Sequence, residues 1–369
     1  MNPQTTNTLP SSAQRSPDIQ HPKWDWANYI RYRPVYPDSL FDAIYTYHAA
    51  ASPDNKFTTA HDVGAGPGNV SARLAERFAH VVLSEPNGGF LSVARERLSS
   101  HSHCFEQEAA VSESTSSKVE NQEHGERKQD VKSKFTYLAE SAEHSSVASD
   151  SIDLLVIAEA LHWTDITASI AEFARQLKSG GTLCVLQYGP VWIMDNDKAQ
   201  KVWEELFCHA VRDLFFGNGD RTGPLGGGLE SERGIASPGN ENYILAGRRC
   251  ATGLDNVGFP SSHLRDGVVR VFTNTRGDPK KLGIAVRDAG LGEEEDAVGA
   301  TDQRSFIEGD PDWMVEECDL AWLQGVYVSF FPGLRVEDDR ERWAQLERAL
   351  GRGTVTAAWP SVRILATRR

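Results

Sequence analysis

The segment that most constrains the fold of this chain is a glycine-rich run, DVGAGPG, at residues 62–68. Glycine loses more backbone freedom on folding than any other residue, so a glycine cluster is costly inside a helix or strand. The preceding TTAHDV predicts a short strand, and the following NVSARLAERFA predicts a helix with apolar residues along one face. Such a loop is either a plain tight turn or a place where a ligand approaches the backbone and the positive end of a helix.

Short apolar strands alternate with helices over much of the remaining chain. SIDLLVIAEAL and GGTLCVLQYGP are strand-like around a predicted helix from about Asp165 to Leu177, and GVVRVFTNT and SVRILATRR are rich in Val, Ile and Thr. This alternation predicts an α/β fold with a mostly parallel sheet and helices on both faces. Ligands of such sheets bind at the carboxyl ends of the strands.

Polar stretches set the predicted domain organisation. We expect residues 1–20 to form a disordered tail and residues 21–369 to form a single domain. A polar insertion is predicted over 106–134, and further insertions are predicted at about 216–242 and 276–310. The glycine-rich part of 216–242 is either a lid over a substrate or a surface loop.

The amino-acid composition argues against several classes of binding partner. The chain has 38 basic and 52 acidic residues, a net charge of −14, and no dense basic block, which argues against a nucleic-acid partner. No apolar run approaches the roughly 20 residues that cross a bilayer, so no membrane partner is expected. The five cysteines form no CxxC pair, which argues against structural zinc and fits a reducing compartment. We expect a cytoplasmic monomer without a metal.

The spacing of the glycines limits which ligand the glycine loop can bind. A dinucleotide fingerprint requires Gly or Ala where this chain has Asn69, and a P-loop requires a lysine that is missing nearby. The remaining pattern, D-x-G-x-G-x-G, resembles motif I of class I S-adenosylmethionine-dependent methyltransferases. Glu85 ends the next Val-rich strand, where two carboxylate oxygens can each accept from one ribose hydroxyl.

Further motifs narrow this resemblance. RPVYP before the glycine loop, ALHW after the fourth strand and ILATRR at the C-terminus are together similar to type 11 methyltransferases, and within them to fungal small-molecule enzymes related to trans-aconitate methyltransferase. The resemblance extends from about Trp24 to Arg369, excluding the polar insertions. It implies a Rossmann-like, seven-stranded, mostly parallel sheet whose last strand is antiparallel, with S-adenosylmethionine as cofactor. It also implies a small-molecule acceptor, for which a carboxylate is one candidate.

The resemblance assigns cofactor-binding roles by position. The residues that match its cofactor loop are Asp62, Gly64, Ala65, Gly66 and Gly68. The residues that match its adenosine contacts are Glu85, Pro86, Asn87, Ala142 and Glu143. Glu159 and Ala160 lie where the family places the transferring methyl group. His61 departs from the family, since this strand position is usually apolar.

Two candidates for catalysis have alternative interpretations. Arg33 can hold an acceptor carboxylate bidentately, or it can be a surface or anchoring arginine. His162 can act as a general base, or it can orient Trp163 or bind backbone groups. Trp163 itself is interpreted as a packing residue, with an acceptor contact as the alternative.

The tyrosines of the N-terminal segment have two interpretations as well. Tyr29, Tyr32 and Tyr36 can cover the cofactor, since ring faces favour a sulfonium. They can equally pack the segment onto the core. We include Tyr29 among the cofactor-binding candidates.

The predicted function is methyl transfer by in-line displacement from S-adenosylmethionine to a small molecule. Positioning then supplies most of the rate, and a base is needed only where the acceptor must lose a proton. One alternative is a methyltransferase-like protein that binds without catalysis. Another is an NAD(P)-dependent reductase, which Asn69 already disfavours.

Overall fold

The computed structural model describes residues 26–51, 56–99, 133–216, 241–283, 295–331 and 335–369. The predicted N-terminal tail lies outside these ranges, as do most of the predicted insertion 106–134 and most of the predicted lid 216–242.

The strands of the described chain form two sheets. They are β1 (Thr59–Val63), β2 (His80–Ser84), β3 (Phe135–Leu138), β4 (Ile152–Ala158), β5 (Leu177–Tyr188), β6 (Trp192–Ile193), β7 (Val269–Thr273), β8 (Gln303–Ile307), β9 (Met314–Cys318), β10 (Val355–Ala358) and β11 (Ser361–Thr367). The helices are α1 (Trp26–Tyr32), α2 (Asp38–Ala51), α3 (Asn69–Ala75), α4 (88–99), α5 (Ile166–Gln176), α6 (Asp197–Phe216), α7 (Glu241–Ala251), α8 (Leu320–Phe330) and α9 (Arg340–Leu350).

The main sheet has eight strands in the order β3-β2-β1-β4-β5-β11-β7-β8, and β6, β10 and β9 form a smaller antiparallel sheet. The first five strands in this order, β3, β2, β1, β4 and β5, run parallel to one another. The last strand of the chain, β11, is antiparallel to both β5 and β7. The predicted Rossmann-like, mostly parallel sheet with an antiparallel last strand is therefore confirmed.

The predicted count of seven strands was wrong, because β8 adds an eighth strand parallel to β7 at the sheet edge. This strand lies within 276–310, where an insertion or lid was predicted. All five of its residues are exposed, and Phe306 stacks on Phe272 of β7 with ring centroids 5.3 Å apart. An edge strand without a buried face has no apolar alternation, so its sequence carries little signal.

Apolar side chains pack on both faces of the sheet because alternate residues of its strands point to opposite sides. In β4, Leu154 and Val156 join the cluster that includes α2, whereas Leu155 and Ile157 join the cluster that includes α5. Helix α5 begins where the sequence predicted, with the Asp165 carboxylate capping the N–H of Ala168. These two apolar layers hold the carboxyl ends of β1, β2, β4 and β5 at one edge.

His61 occupies a buried position in β1 and is 1% exposed. Its Nδ1 lies 2.7 Å from the Gln176 amide oxygen and its Nε2 lies 2.9 Å from the Ser84 hydroxyl. Burial lowers the pKa of His61 to about 4, so the ring is neutral at pH 7. The polar side chain at this usually apolar position therefore joins β1 to β2 and to α5.

The described ranges contain neither a bilayer-spanning helix nor a cluster of metal-binding side chains. None of the helices there combines the length and apolar character needed to span a bilayer. Within the same ranges, no group of three or more His, Cys, Asp or Glu side chains is placed to hold a metal ion.

Candidate functional site

The glycine loop lies between the end of β1 and the start of α3. Gly64, Gly66 and Gly68 have φ angles of +66°, +53° and +83°, in the left-handed region that favours glycine. A Cβ on Gly64 would lie 2.5 Å from the Cβ of Ala160, whereas a Cβ on Gly66 would meet nothing within 4 Å. Gly64 is therefore required for packing against the end of β4, and Gly66 borders open space.

Glu85, directly after β2, faces this loop and is only 6% exposed. Its Oε2 accepts the N–H of Gly66 at 3.0 Å, and its Oε1 accepts the N–H of Asn87 at 2.9 Å. Burial raises the pKa of Glu85, while the N–H groups of Asn87 and Gly66 oppose that rise. Each oxygen keeps a lone pair for one more donor, beside the open space at Gly66.

Asp62 lies beneath the loop and is 1% exposed. The Ser71 hydroxyl of α3 donates to its Oδ2 at 2.6 Å. Burial raises the pKa of Asp62 to about 7, although the hydrogen bonds from Ser71 lower it. Asp62 therefore ties the end of β1 to the first turn of α3, beneath the backbone that a ligand would approach.

Arg97 of α4 braces the same loop. Its Nη1 donates to the Pro67 carbonyl at 2.6 Å and to the Asn69 amide oxygen at 2.7 Å. Sequence reasoning missed this residue, because a single arginine in an amphipathic helix belongs to no motif.

The predicted adenosine contacts lie along the neighbouring strand ends. Pro86 is exposed, and the Asn87 side-chain oxygen accepts the N–H groups of Gly89 and Phe90 at 2.9 and 3.2 Å, at the start of α4. Ala142 packs against the apolar cluster beside β4.

Glu143 lies next to Ala142, in the turn after β3. Its Oε1 accepts the N–H of Asp165 at 3.0 Å. Its carboxylate is thereby fixed close to the start of α5.

Glu159 follows β4 directly and has a φ of +55°, an uncommon conformation for a residue with a side chain. Its N–H donates to the Leu186 carbonyl at 3.0 Å, and its Oε1 accepts the N–H of Tyr188. Burial raises the pKa of Glu159 to about 8, although the Tyr188 N–H and the Arg33 charge lower it. Most of this carboxyl is therefore protonated at pH 7.

Arg33 is held between α1, α8 and the end of β5. Its Nη2 donates to the Ser329 carbonyl at 2.9 Å and its Nη1 donates to the Tyr188 hydroxyl at 3.3 Å. The guanidinium carbon lies 3.7 Å from the centre of the Phe330 ring. Its Nε is fully buried and has no hydrogen-bond partner among the described residues.

Burial by itself would lower the pKa of Arg33. The facing groups Tyr188, Tyr29 and Glu159 outweigh it, so the pKa is raised. Sequence reasoning missed Tyr188 and Phe330, which lie far along the chain from RPVYP.

The three N-terminal tyrosines separate into two environments. Tyr29 hydrogen-bonds Tyr188, and burial raises the pKa of Tyr29. Tyr36 is buried, with its ring 6.2 Å from that of Tyr188. Tyr32 instead packs on α8, where a Cβ on Gly325 would lie 2.3 Å from its ring. Tyr29 and Tyr36 therefore gather beside Tyr188, and Tyr32 anchors α1.

His162 lies in a short 3₁₀ helix after β4 and is 7% exposed. Burial, together with the charge of Arg249, lowers its pKa to about 3. Arg249 of α7 donates to the backbone carbonyls of His162 and Thr164 at 2.9 and 2.8 Å. Trp163, predicted to be a packing residue, is 53% exposed, and its ring centroid lies 5.0 Å from that of His162.

These features fit an adenosine-bearing ligand. The open space beside Gly66, the oriented oxygens of Glu85 and the polar cluster of Arg33, Tyr188 and Glu159 meet at the carboxyl ends of neighbouring strands.

Comparison with known proteins gives matches to methyltransferases. Residues 61–185 match the Methyltransf_11 family, a methyltransferase domain. Methyltransferase cfoB of Aspergillus candidus is 28% identical, covering 93% of this chain and 94% of its own length. Methyltransferase gedG of Aspergillus terreus is 26% identical, with coverages of 93% and 91%. Methyltransferase ptaI of Pestalotiopsis fici is 27% identical, with coverages of 93% and 93%.

Among solved structures, a putative type II methyltransferase from Anaeromyxobacter dehalogenans matches with a TM-score of 0.46 at 15% identity. The match covers 91% of this chain and 97% of that one.

Proposed function

We propose that this chain, which is a class I S-adenosylmethionine-dependent methyltransferase, methylates a small organic acid on its carboxylate. The observation that carries the acceptor proposal is the half-buried guanidinium of Arg33 beside Tyr188 and Glu159. Its Nε–H lacks a partner in the described structure, so at least this donor is left for an anionic oxygen.

The cofactor roles proposed here follow the strand ends. The Glu85 oxygens accept from the ribose hydroxyls, and the backbone of Gly64, Ala65, Gly66 and Gly68 allows close approach. Around the adenine we propose Pro86, Asn87, Ala142 and Glu143, and near the methionine end Glu159, Ala160 and Tyr29. Asp62 supports this loop from below. When bound, S-adenosylmethionine supplies a methyl group on a positively charged sulfur.

Arg33 is proposed to position the acceptor. Its Nη atoms are fixed by Ser329 and Tyr188, so the free Nε–H has a defined direction. A carboxylate is already nucleophilic, and its alignment then supplies most of the rate without proton removal.

His162 is the proposed base for acceptors that must lose a proton. Its neutral ring can accept one, but a pKa of about 3 makes it a weak base. This low basicity favours an acceptor that needs no base.

The experiment that tests the proposal is incubation with isotope-labelled S-adenosylmethionine and a metabolite extract, followed by mass analysis of the labelled products. We expect a methyl ester of a small acid. Arg33→Gln should raise the KM for that acid about tenfold, the loss expected for a charged hydrogen bond, and leave cofactor affinity unchanged.

The matched control for Arg33→Gln is Arg335→Gln, which changes an arginine whose side chain is 62% exposed. Labelled products that are all uncharged, with no acid precursor, would contradict the carboxylate proposal. Cofactor binding with no labelled product would favour a protein that binds without catalysis.

We further propose that the protein acts as a cytoplasmic monomer with small-molecule partners alone. The net charge of −14 disfavours nucleic acids. The described cysteines, Cys184, Cys208, Cys250 and Cys318, are free thiols, which is consistent with a reducing compartment.

A further inference from the structure

A second feature at the same edge of the sheet is a cavity of about 130 Å³. It lies between α2 and the ends of β5, β7, β8 and β11. Tyr36, Leu186 and Trp313 supply apolar and aromatic walls, and Asp310 and Arg363 supply polar groups. We call it the Arg363 cavity.

Arg363 has an unusual environment for an arginine. It lies on β11 between Leu186 of β5 and Val271 of β7. Its Nε is fully buried without a partner, and Arg363 makes no hydrogen bond or ion pair with any described residue. The residue is half-buried, and an Nε–H that is withdrawn from water without a partner is costly, so this atom favours an oxygen ligand.

The charges facing Arg363 do not neutralise it by contact. Burial lowers the pKa of Arg363, and Cys184 and Asp310 oppose this effect. Burial raises the pKa of the Cys184 thiol to about 12, so Cys184 carries no charge at pH 7. The Asp310 carboxylate accepts the N–H of Asp312 at 3.1 Å and caps a 3₁₀ helix instead of pairing with Arg363.

The side chain of Gln187, which also borders the cavity, belongs to the other face of the sheet. Gln187 pairs with Val362, the neighbour of Arg363 on β11, and its Nε2 donates to the Cys250 sulfur at 2.8 Å. Because alternate residues of a strand point to opposite faces, its amide and the Arg363 guanidinium do not face each other.

The size and walls of the cavity limit the ligand. An engineered protein cavity of about 150 Å³ binds benzene, so a cavity of 130 Å³ is suited to roughly one ring. The Tyr36 and Trp313 rings lie edge to face with centroids 6.3 Å apart, which gives it flat apolar surfaces.

We propose that the Arg363 cavity binds a small organic acid of about one-ring size, with its carboxylate on the Arg363 guanidinium. This inference goes beyond the proposed methyl transfer and does not depend on it. Tyr36, which lines the cavity, also packs on Tyr188 beside the Arg33 cluster. The bound acid is therefore either part of the methyl acceptor or a separate ligand.

Fluorine NMR on the full-length protein tests this with 4-fluorobenzoate as the probe. We expect the wild-type protein to broaden the probe signal and to leave that of the neutral 4-fluorobenzamide sharp. Arg363→Gln should weaken binding of the acid by at least about tenfold, the loss expected for a charge-assisted hydrogen bond. Arg335→Gln, which changes an exposed arginine, should bind the probe like the wild type.

A second variant tests the cavity independently, in case Arg363→Gln fails to fold. Ala43→Leu fills the cavity from α2 without changing Arg363, and it should also weaken probe binding. S-adenosylmethionine affinity, measured on each variant, reports folding and separates this test from the proposed function. Equal probe binding by the wild type and by folded variants, or no wild-type binding, would overturn the proposal.

Labelled cofactor distinguishes the two sources of the acid. Methyl transfer to bound 4-fluorobenzoate assigns the cavity to the acceptor site. Arg363-dependent binding without methyl transfer assigns it to a separate acid, and both results support an organic-acid site.

Discussion

At the scale of single residues, burial disfavours the charged forms of the acids and bases of the site. It raises the pKa of Glu159 to about 8 and of Asp62 to about 7, and it lowers that of His162 to about 3. Each shift disfavours the charged form of the group, as desolvation predicts. The positive charge of Arg33 therefore faces little compensating charge from Glu159 at pH 7.

Replacement of Glu159 should change how stability depends on pH. The folded pKa of about 8 lies above the ordinary 4.5, so the folded state holds a proton that the unfolded state loses. Wild-type stability therefore falls as the pH rises from about 4.5 through 8. Glu159→Gln lacks this loss and keeps an oxygen for the Tyr188 N–H.

The measurement for Glu159→Gln is urea unfolding at pH 5.5 and pH 8.5. The variant should gain on the order of 2 kcal/mol relative to the wild type between these two values. A difference between the two proteins that is identical at both pH values would contradict the shifted pKa.

Replacement of His162 should leave the pH dependence of catalysis unchanged. With a pKa of about 3, the ring is neutral throughout pH 5–9. We expect kcat/KM of His162→Asn to follow the wild-type pH profile over that range. A wild-type inflection near pH 6.5 that disappears in the variant would show an ionising histidine and contradict this account.

At the scale of elements, the glycine loop must both pack against the end of β4 and leave space for a ligand. Substitutions at Gly64 and Gly66 can separate these two requirements. Gly64→Ala adds a contact with Ala160 to the strain of a positive φ, whereas Gly66→Ala adds only the strain. We expect a loss of roughly 2–4 kcal/mol of unfolding free energy for Gly64→Ala and about 1 kcal/mol for Gly66→Ala. Because Gly66 borders the open space, its variant should mainly weaken cofactor binding.

Urea unfolding and calorimetric titration with S-adenosylmethionine, performed on both glycine variants, measure the two effects. Each variant is the control for the other. Equal stabilities, or wild-type cofactor affinity in Gly66→Ala, would contradict the assigned division of roles.

Elements with a strong local pattern were predictable from the sequence, and those without one were not. The strand ending at Val63, the glycine loop and the helix after Asp165 follow local periodicity and capping. Strand β8 was missed because its side chains are all exposed. Arg97 was missed because its contact with the loop depends on how α4 packs.

At the scale of the whole molecule, the candidate site joins residues that the sequence cannot bring together. Arg33 contacts Tyr188 and Ser329, which lie 155 and 296 positions away along the chain. RPVYP marked Arg33 as a candidate, but no local pattern identified what would surround it. Arg363 illustrates the same limit, since its lack of partners is a property of the packed sheet.

A substitution far from the candidate site should lower the stability of the protein without changing its affinity for the cofactor. Arg270 is fully buried, and it lies 3.6 Å from Asp255 and 3.5 Å from Asp302. Arg270→Met leaves these acids without their buried cation, so we expect a loss of about 3 kcal/mol of unfolding free energy. Titration of the folded variant should give the wild-type cofactor affinity, and a large loss of affinity would contradict this separation.

The central claim is that Glu85 and the backbone beside Gly66 bind the adenosine part of S-adenosylmethionine. Calorimetric titration of the wild type and of Glu85→Ala tests it most directly, with the exposed acid variant Glu76→Ala as the control. We predict that Glu85→Ala weakens binding by roughly 1–3 kcal/mol, about fivefold to 150-fold, while Glu76→Ala binds normally. Wild-type affinity in a folded Glu85→Ala protein would contradict the account.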